Sequence, residues 1–374
     1  GNLTTLVLVT RPEEAPLKEA QRASLELADL GVNNQILVVN GVLLQSDDAI
    51  SEKLYQKQKA AMKAIPEGLK ALTTYLIPLR AYNITGLDNV RAMLREDRQD
   101  IKYEAPNTKN FYGLHDVVDS IDKAGRKVIF TMGKGGVGKT TVAATIALGL
   151  AQKGKKVHLT TTDPAAHLKF VLEQADNITM SYIDEHAELK NYQEEVLSKA
   201  RANGLSEEDI AYIEEDLRSP CTQEIAVFRA FAEIVEKADD QVVVIDTAPT
   251  GHTLLLLEST ENYDKEIQRT NGETPESVKR LLPRLKSMET EVVIVALPEA
   301  TPVYEAIRLE DDLKRAQIAV NWWIINQSFY QSGTTNALLE AKASNEVEWI
   351  NRIDQHTGGR FALIAWSADQ IKGD

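Results

Sequence analysis

Short runs of apolar, often β-branched residues recur along the chain. They are TTLVLV (4–9), QILVVN (35–40), KVIFTM (127–132), KVHLTT (156–161), QVVVID (241–246), EVVIVA (291–296) and WWIIN (322–326). Between most of them apolar positions repeat with helical spacing, as in 140–154 and 302–316. Continuous apolar strands that alternate with helices are typical of βαβ units around a buried parallel sheet. The pattern therefore predicts an α/β fold with a mostly parallel β-sheet flanked by helices.

The N-terminal pattern occurs a second time near the end of the chain. Residues 6–42 align without a gap on 292–328, so that Pro12 falls on Pro298 and Asn40 on Asn326, an offset of 286. YLIPLRA (75–81) also resembles ALIAWSA (362–368) at an offset of 287. Such self-similarity indicates a tandem repeat. We expect a pseudo-twofold pair of domains whose first copy is incomplete, with its own glycine loop upstream of Gly1.

The repeat suggests where the domains divide. The polar segment 96–113 has no clear periodicity and is typical of a linker, and LHDVVDSIDKAG after it predicts a short amphipathic helix. We therefore expect the C-terminal part of a first half in 1–95, a linker and entry helix in 96–125, and a second half in 126–374.

Composition narrows the class of protein. The net charge of −14 and the pI near 5.1 argue against nucleic acid as a partner, because binding phosphates needs a basic surface. No apolar run approaches the length needed to span a bilayer, and the first residues do not resemble a signal peptide. The single cysteine, Cys221, excludes an internal disulfide and a zinc site built from this chain's thiolates alone. A cytoplasmic location is expected, with membrane contact only through a partner.

The segment GKGGVGKT (133–140) lies between a predicted strand and a predicted helix. It satisfies G-x-x-x-x-G-K-T in the context that this pattern requires, which predicts a P-loop NTPase; a purely structural turn is the alternative. Backbone N–H groups and the helix start would bind phosphate, Lys139 would reach the β- and γ-phosphates of ATP, and Thr140 would bind Mg²⁺. The predicted nucleotide-binding residues of the loop are Gly133, Gly135, Gly136, Val137, Gly138, Lys139, Thr140 and Thr141.

Two aspartates follow predicted strands, at the sheet edge where ligands bind in such folds. Asp246 ends QVVVID and occupies the place of the acid that orients the Mg²⁺ shell. Asp163, in TTTDPAAH, follows strand 156–161 and could position or activate the attacking water. Either could instead be a helix N-cap.

Lys134 distinguishes this loop from ordinary P-loops. With KGGVGKTT intact, the sequence resembles the deviant Walker-A ATPases. The resemblance implies that Lys134 crosses an interface to the nucleotide of a partner site and stabilises charge during phosphoryl transfer, so that it is catalytic together with Lys139 and Asp163. A solvated surface lysine is the alternative.

Four further segments make the resemblance narrower. DTAPTGHTLLLLE (246–258), DPAAH (163–167), RSPCTQEIAVF (218–228) and LPEATPVYEA (297–306) are similar to the arsenical pump-driving ATPases over the whole chain. That family has two homologous ATPase halves, and its activity is ATP hydrolysis stimulated by As(III) or Sb(III), which energises metalloid efflux. The implied partners are a membrane arsenite carrier, which would hold the protein peripherally at the membrane, a metallochaperone that delivers As(III), and the first ATPase half that is missing here. Without that half we expect nucleotide binding but poor metalloid-stimulated hydrolysis.

The same resemblance implies the metalloid ligands Cys221, His252 and Ser219. Thiolate suits the soft ions As(III) and Sb(III), and Ser219-Pro220-Cys221 predicts a helix start, where a cysteine pKa is lowered. Ser219 could instead be an ordinary N-cap, Cys221 a small buried hydrophobe, and His252 a residue that caps or packs a helix. One cysteine predicts weak metalloid binding by this chain.

Asn326 ends the predicted strand 322–326. By similarity to related ATPases its amide would pair with the adenine edge, although it could instead tie down a turn.

The rival interpretation is an ATPase that delivers tail-anchored membrane proteins, which shares DTAPTGHTL. Such a chaperone uses a Cys-x-x-Cys zinc clasp and a methionine-rich groove. This chain has one Cys and five Met in 374 residues, which favours the pump ATPase.

Overall fold

The computed structural model describes residues 4–84, 86–93, 110–161, 175–247 and 276–368. Contacts divide the chain into two compact units. One comprises Gly1–Lys109, Gln327–Asn351 and Ala365–Gln370, and the other Asn110–Asn326, Arg352–Ile364 and Ile371–Asp374. These units follow spatial contacts, whereas the predicted halves 1–95 and 126–374 follow the sequence repeat, so the boundaries of the halves stay a prediction. In the described residues no helix is long and apolar enough to cross a bilayer.

The first unit is built around a three-stranded parallel sheet in the order β1-β2-β3. Its N-terminal elements are β1 (Leu6–Thr10), α1 (Glu14–Asp29), β2 (Gln35–Val42), α2 (Ala49–Lys63), α3 (Glu67–Lys70), β3 (Thr73–Pro78) and α4 (Gly86–Met93). One face of the sheet packs on α1 and α3 through a core that includes Leu8, Leu17, Leu37, Val39 and Leu69. A second cluster joins Leu43 and Leu54 to Phe329, Leu339 and Trp366 from the C-terminal part of the same unit.

The second unit confirms the predicted α/β architecture with a seven-stranded parallel sheet in the order β10-β9-β8-β4-β7-β5-β6. The chain continues through α5 (Leu114–Lys123), β4 (Val128–Met132), α6 (Lys139–Gln152), β5 (Val157–Thr161), β6 (Ile178–Tyr182), α7 (Glu185–Ala202), α8 (Glu207–Asp216), α9 (Pro220–Glu236), β7 (Val242–Asp246), α10 (Glu276–Leu285), β8 (Thr290–Ala296), α11 (Ala300–Arg315), β9 (Val320–Ser328), α12 (Ala337–Thr357) and β10 (Phe361–Ala365). The last part of β9 and the first part of α12 belong to the first unit. Helix α5 is the predicted entry helix.

The central strands β4, β5, β7 and β8 are buried along their whole length. Strands of parallel sheets are covered on both faces, which is why their sequences are apolar without alternation. Helices α5 and α6 pack on one face, and α6 contributes the small buried residues Ala143 and Ala147 beside Val142 and Ile146. The central position of β4 places the loop that follows it in the middle of the sheet's carboxyl edge.

The predicted repeat is present in the structure. Helix α1 spans 14–29 and α11 spans 300–315, so the two helices share a length of 16 residues and the offset of 286. The residues that precede them, Glu13 and Glu299, have φ/ψ of −135°/149° and −137°/153°. The unit β1-α1-β2-β3 therefore repeats as β8-α11-β9-β10 with nearly the same local geometry.

The two copies differ in how their sheets are covered. On one face of β1 and β3 the apolar side chains are exposed, namely Val7 at 49%, Val9 at 65% and Tyr75 at 56%. The residues at the same positions of the second copy are fully buried, namely Val293, Val295 and Ala362. These buried residues lie in the core that contains α5 and α6. Among the described residues of the first unit, this sheet face has no such helices, and we call it the open face.

Candidate functional site

The glycine loop 133–138 connects β4 to α6, as the sequence predicts. Two strands on each side of β4 supply neighbouring groups at the same edge, because β8 and β9 lie to one side and β7 and β5 to the other. Buried side chains from α6, β5, β7 and β9 meet there: Lys139, Thr161, Asp246 and Asn326. The loop is thus the centre of a polar cluster at the carboxyl edge of the sheet.

Glycine is required at the two ends of the loop. A Cβ atom on Gly133 would lie 2.1 Å from the carbonyl oxygen of Val295 on β8, so no side chain fits. Gly138 is the N-cap of α6 in the left-handed region, with φ 92° and ψ 27°, a conformation that costs glycine little. The backbone consequently turns tightly and presents the start of α6 to the space above the loop, an arrangement that favours an anion.

Lys139, the first residue of α6, is held against the loop. Only 7% of the residue is exposed, and its Nζ donates to the carbonyl oxygen of Lys134 at 3.0 Å. Burial lowers the pKa of this ammonium, although the nearby Asp246 carboxylate acts to raise it. A buried cation at the start of a helix, beside a glycine loop, is suited to binding phosphate oxygens.

Asp246 at the end of β7 joins three elements. Its Oδ2 accepts hydrogen bonds from Thr140 Oγ1 on α6 at 2.6 Å and from Thr161 Oγ1 on β5 at 3.0 Å, and only 3% of the residue is exposed. A hydroxyl that donates its proton keeps two acceptor lone pairs. Thr140 can therefore offer oxygen to a hard cation such as Mg²⁺ while Asp246 holds it, and the donor set fits the predicted ion.

Asn326 on β9 approaches the loop from the other side of β4. Its Nδ2 donates to the carbonyl oxygen of Val137 at 2.9 Å, and the residue is 6% exposed. In this structure the side chain therefore holds the loop by a hydrogen bond, which corresponds to the alternative role of fixing a turn. Pairing with adenine stays a prediction.

Lys134 points away from the loop backbone toward α11. Its Nζ lies 3.2 Å from Glu305 Oε1, and about two fifths of each side chain is exposed. An exposed ion pair of this kind contributes little to folding, so the lysine is held only loosely.

The predicted metalloid residues are only partly within the described chain. Ser219 is the N-cap residue of α9 and Pro220 the first residue, as predicted, and Ser219 Oγ lies 3.0 Å from Thr222 Oγ1. Cys221 lies in the first turn of α9, and its side chain is outside the described residues. Asp163 and His252 also fall outside them. The part of the chain that is described has no group of three His, Cys, Asp or Glu residues able to hold a metal ion.

Sequence reasoning did not identify Thr161 or Glu305 as site residues. Thr161 is the last residue of β5, and only the adjacency of β5 and β7 brings it to Asp246. Glu305 lies 171 residues from Lys134 along the chain. The strand-end TTTD and the repeated segment around 298–306 are the features that could have drawn attention to them.

Comparison with known proteins agrees with this geometry. The sequence profile of the anion-transporting ATPase family matches residues 1–96, 126–288 and 272–359. The arsenical pump-driving ATPase of Escherichia coli is 40% identical to the chain over 377 residues, covering 99% of this chain and 64% of that protein. The protein of the same name from Acidiphilium multivorum has the same identity and coverage. The chain thus spans about 64% of the length of these relatives.

A relative from the rival class is more distant. The ATPase GET3 of Mycosarcoma maydis is 27% identical over 259 residues, which cover 58% of this chain and 76% of that protein. The pump-driving ATPases match with higher identity and over nearly the whole chain. Taken with the phosphate-type loop and its aspartate, these matches show that the chain belongs to the anion-transporting ATPase family.

Proposed function

We propose that this chain binds and hydrolyses MgATP at residues 133–141, and that As(III) or Sb(III) stimulates hydrolysis to energise metalloid efflux through a membrane carrier. The observation that carries ATP binding is the contact of Thr140 with Asp246 beside the buried Lys139. The arsenical pump-driving ATPases that are 40% identical to this chain support the proposed stimulation by a metalloid.

In this proposal the residues of the loop bind the triphosphate. Lys139 contacts the β- and γ-phosphates, and the N–H groups of the loop and of the first turn of α6 surround their oxygens. Thr140 and Asp246 would hold Mg²⁺, which when bound neutralises charge on the phosphates. Asp246 keeps the Thr140 hydroxyl oriented through the 2.6 Å hydrogen bond.

Two further residues would act in hydrolysis. Asp163 would place the attacking water, and Lys134 would stabilise charge at the nucleotide of the opposite half. The loose pairing of Lys134 with Glu305 supports this role, since the side chain can leave at small cost.

Cys221, His252 and Ser219 are proposed to bind the metalloid. The support is chemical, because thiolate is the ligand that soft trivalent arsenic and antimony prefer, and Cys221 lies in the first turn of α9. A cysteine at a helix N-terminus has a raised thiolate fraction.

The proposed partner of this nucleotide site is a first ATPase half. The open face supports it, because the matching face of the second copy is covered by α5 and α6. Parallel sheets are covered on both faces, so we infer that an equivalent pair of helices from a first half covers the open face. We further propose that the chain is cytoplasmic and is held at the membrane by the carrier, and that a metallochaperone delivers As(III) to it.

Nucleotide binding is tested by titrating the chain with a fluorescent MgATP analogue. We expect Lys139→Ala and Thr140→Ala each to weaken binding by about tenfold or more, because each removes a group that contacts the phosphates or the ion. Thr145→Ala is the matched control, since Thr145 lies on the same helix and its hydroxyl donates to the Thr141 carbonyl oxygen. Unchanged affinity in the two site variants would contradict the proposed site.

Metalloid coupling is tested in a chain that carries both halves. ATP hydrolysis should rise with antimonite or arsenite, and Cys221→Ser should raise the half-maximal metalloid concentration because hydroxyl is a poor ligand for these ions. The chain alone should bind nucleotide but respond weakly. Hydrolysis that ignores metalloid, together with binding of an apolar membrane-protein helix, would favour the targeting ATPase.

The role of Lys134 is separated from its ion pair by two variants of a chain that carries both halves, because the proposed role needs an opposite nucleotide site. Lys134→Met should lower hydrolysis strongly, while Glu305→Gln should leave it near wild type, because the pair itself contributes at most about 1 kcal/mol. Equal losses in both variants would show that the ion pair, and not the free lysine, matters.

A further inference from the structure

The carboxylate of Asp246 is shared by two hydroxyl groups that reach it from different elements. Both hydrogen bonds end on the same oxygen, Oδ2, with Thr140 Oγ1 at 2.6 Å and Thr161 Oγ1 at 3.0 Å. An ionised carboxylate offers about two lone-pair sites on each oxygen. The two threonines therefore occupy the acceptor capacity of Oδ2, and a further partner of this oxygen would have to displace one of them.

Thr161 is fixed in this position by the sheet. It is the last residue of β5, its Cα pairs with that of Asp246 on β7, and only 4% of the residue is exposed. A buried β-branched side chain has few rotamers, so its hydroxyl does not easily turn away. Thr131 on β4 pairs with Asp246 from the other side, yet its Oγ1 donates to the carbonyl oxygen of Ile245, at 3.5 Å. Being next to Asp246 in the sheet is therefore not sufficient for this contact.

The two threonines differ in how far they are open to a bound ion. Thr140 is partly exposed in the first turn of α6, directly after the loop, and can offer its oxygen to Mg²⁺. Thr161 is almost fully buried. We therefore expect Thr161 to influence the ion through Asp246 and not by direct contact.

The chemistry of divalent ions gives this arrangement a consequence. Mg²⁺ is small, requires nearly octahedral geometry and keeps several water ligands, whereas Ca²⁺ binds about six to eight oxygens and readily takes carboxylates as direct ligands. While two hydroxyls occupy Oδ2, that oxygen is not available as a direct ligand. The site then favours an ion that keeps its water over one that needs additional protein oxygens.

We propose that Thr161 is a positioning residue that sets the ion specificity of the nucleotide site. Its hydroxyl keeps Asp246 in the role of holding Thr140, so that Mg²⁺ is accepted with its water ligands while Ca²⁺ gains no direct ligand from Oδ2. Removal of the hydroxyl frees one acceptor position on Oδ2 for the larger ion. This role presupposes the proposed binding of MgATP at residues 133–141.

The test is titration of the full chain with a fluorescent ATP analogue in saturating Mg²⁺, in saturating Ca²⁺ and in EDTA. The measured quantity is the ratio of the Kd in Ca²⁺ to the Kd in Mg²⁺, which should exceed unity in wild type. Thr161→Val has nearly the same shape without the hydroxyl and should lower this ratio about fivefold or more, mainly by lowering the Kd in Ca²⁺. Thr161→Ser retains the hydroxyl and should keep the wild-type ratio.

Thr160→Val is the matched control. Thr160 precedes Thr161 on β5, is fully buried and lies on the opposite face of the strand, where its Oγ1 is 2.9 Å from Ser181 Oγ. Its substitution should leave the ratio unchanged. Thr161→Ala is a second variant without the hydroxyl and should reproduce the ratio of Thr161→Val, while binding in EDTA stays at the wild-type level in both.

The possible failures of this role and of the proposed nucleotide site can be told apart. A wild-type ratio in both Thr161→Val and Thr161→Ala, with unchanged binding in EDTA, would overturn the role of Thr161 alone. An equal rise of the Kd in Mg²⁺ and Ca²⁺, or loss of the folded state in both variants, would also overturn it, because Thr161 would then bind the ion itself or serve the fold. Absence of nucleotide binding by wild type in all three conditions would contradict the nucleotide site, and this role with it.

Discussion

At the scale of single residues, Gly133 shows how closely the nucleotide loop is fitted to the sheet. The carbonyl oxygen of Val295 occupies the space of a Cβ atom, at 2.1 Å, and both atoms belong to central elements that cannot move independently. The φ of Gly133 is 152° and that of Gly154, after α6, is 83°, both positive values that favour glycine, but nothing lies within 4 Å of the Gly154 Cβ position. The two glycines therefore both have a positive φ, but only at Gly133 do neighbouring atoms leave no room for a side chain.

Gly133→Ala should destabilise the chain by about 3 kcal/mol or more, because it adds a backbone clash to the conformational cost. Gly154→Ala should cost only about 1–2 kcal/mol, the penalty of the left-handed conformation. Denaturant unfolding measures both. MgATP binding should weaken only in Gly133→Ala; equal losses of stability would show that the loop can shift away from β8.

At the scale of elements, the open face shows that the same local sequence pattern can form the same strand and yet be buried to a different extent. Strands β1 and β8 have the same sequence pattern and each precedes a helix of 16 residues, yet Val9 is 65% exposed and Val295 is fully buried. The local pattern is satisfied in both copies, so the difference arises from what covers the sheet.

Val9→Lys should change the stability of this chain by no more than about 1 kcal/mol, since the side chain is already in water. Val295→Lys, at the same position of the second copy, should cost more than about 4 kcal/mol because it buries an unpaired charge. Chemical denaturation of each variant provides the comparison. When a first half is supplied, Val9→Lys should impair its association; a large cost in the chain alone would mean that the face is already covered.

The start of α2 is a second element whose stability depends on distant residues. Asp48, its N-cap, accepts from Ser51 N at 2.6 Å and also from Thr334 Oγ1 and Thr335 N at 2.6 Å. Burial acts to raise the pKa of Asp48, but these hydrogen bonds together hold it well below the ordinary value of 3.8. One carboxylate thereby fixes both a helix and the segment that precedes α12.

Asp48→Ala should destabilise the chain by about 2–4 kcal/mol, because several charge-assisted hydrogen bonds are lost with the cap. Asp184→Ala is the control: Asp184 caps α7 through the N–H groups of His186 and Ala187, so about 1 kcal/mol is expected. The depressed pKa of Asp48 contributes stability above about pH 4 that is lost as the pH falls further. Equal costs in both variants would show that the contacts to 334–335 add nothing.

At the scale of the whole molecule, each compact unit contains a buried group with a displaced pKa. In one, burial raises the pKa of Glu346 to about 7 although Ser328 Oγ donates to it at 2.7 Å. In the other, burial and then Lys237 lower the pKa of His158 to about 4, and its ring nitrogens pair with Thr179 and Ser181 at 2.8 Å. Both groups are therefore favoured in their neutral forms.

These two groups should give stability opposite dependences on pH. Glu346 contributes most below about pH 4.5, and this contribution is lost as the pH rises to about 7, whereas the His158 contribution is lost as the pH falls from about 6.5 to 4. Each term is at most about 3 kcal/mol. Unfolding free energy measured between pH 4.5 and 7 should rise more steeply with pH in Glu346→Gln and fall with pH in His158→Asn. The same dependence of unfolding free energy on pH in wild type and in both variants would contradict the shifted pKa values of Glu346 and His158.

Much of the architecture could be predicted from the sequence because its determinants are local. Apolar runs and helical spacing located the central strands and α6, the offset of 286 located the repeat, and the glycine spacing located the loop. The N-cap Ser219 with Pro220 was likewise correct. These features depend on residues within one turn, one strand or one repeated segment.

Only the tertiary structure decided which distant residues meet. The strand order β9-β8-β4-β7-β5 places Thr161 on Asp246, a contact over 85 residues, and turns Asn326 toward Val137, a contact over 189. It also leaves the open face exposed. The sequence by itself determines the alternation of strands and helices, because secondary structure follows from the short-range spacing of apolar and polar residues. Strand order and coverage depend instead on which buried surfaces pack together, and that is a property of the whole fold.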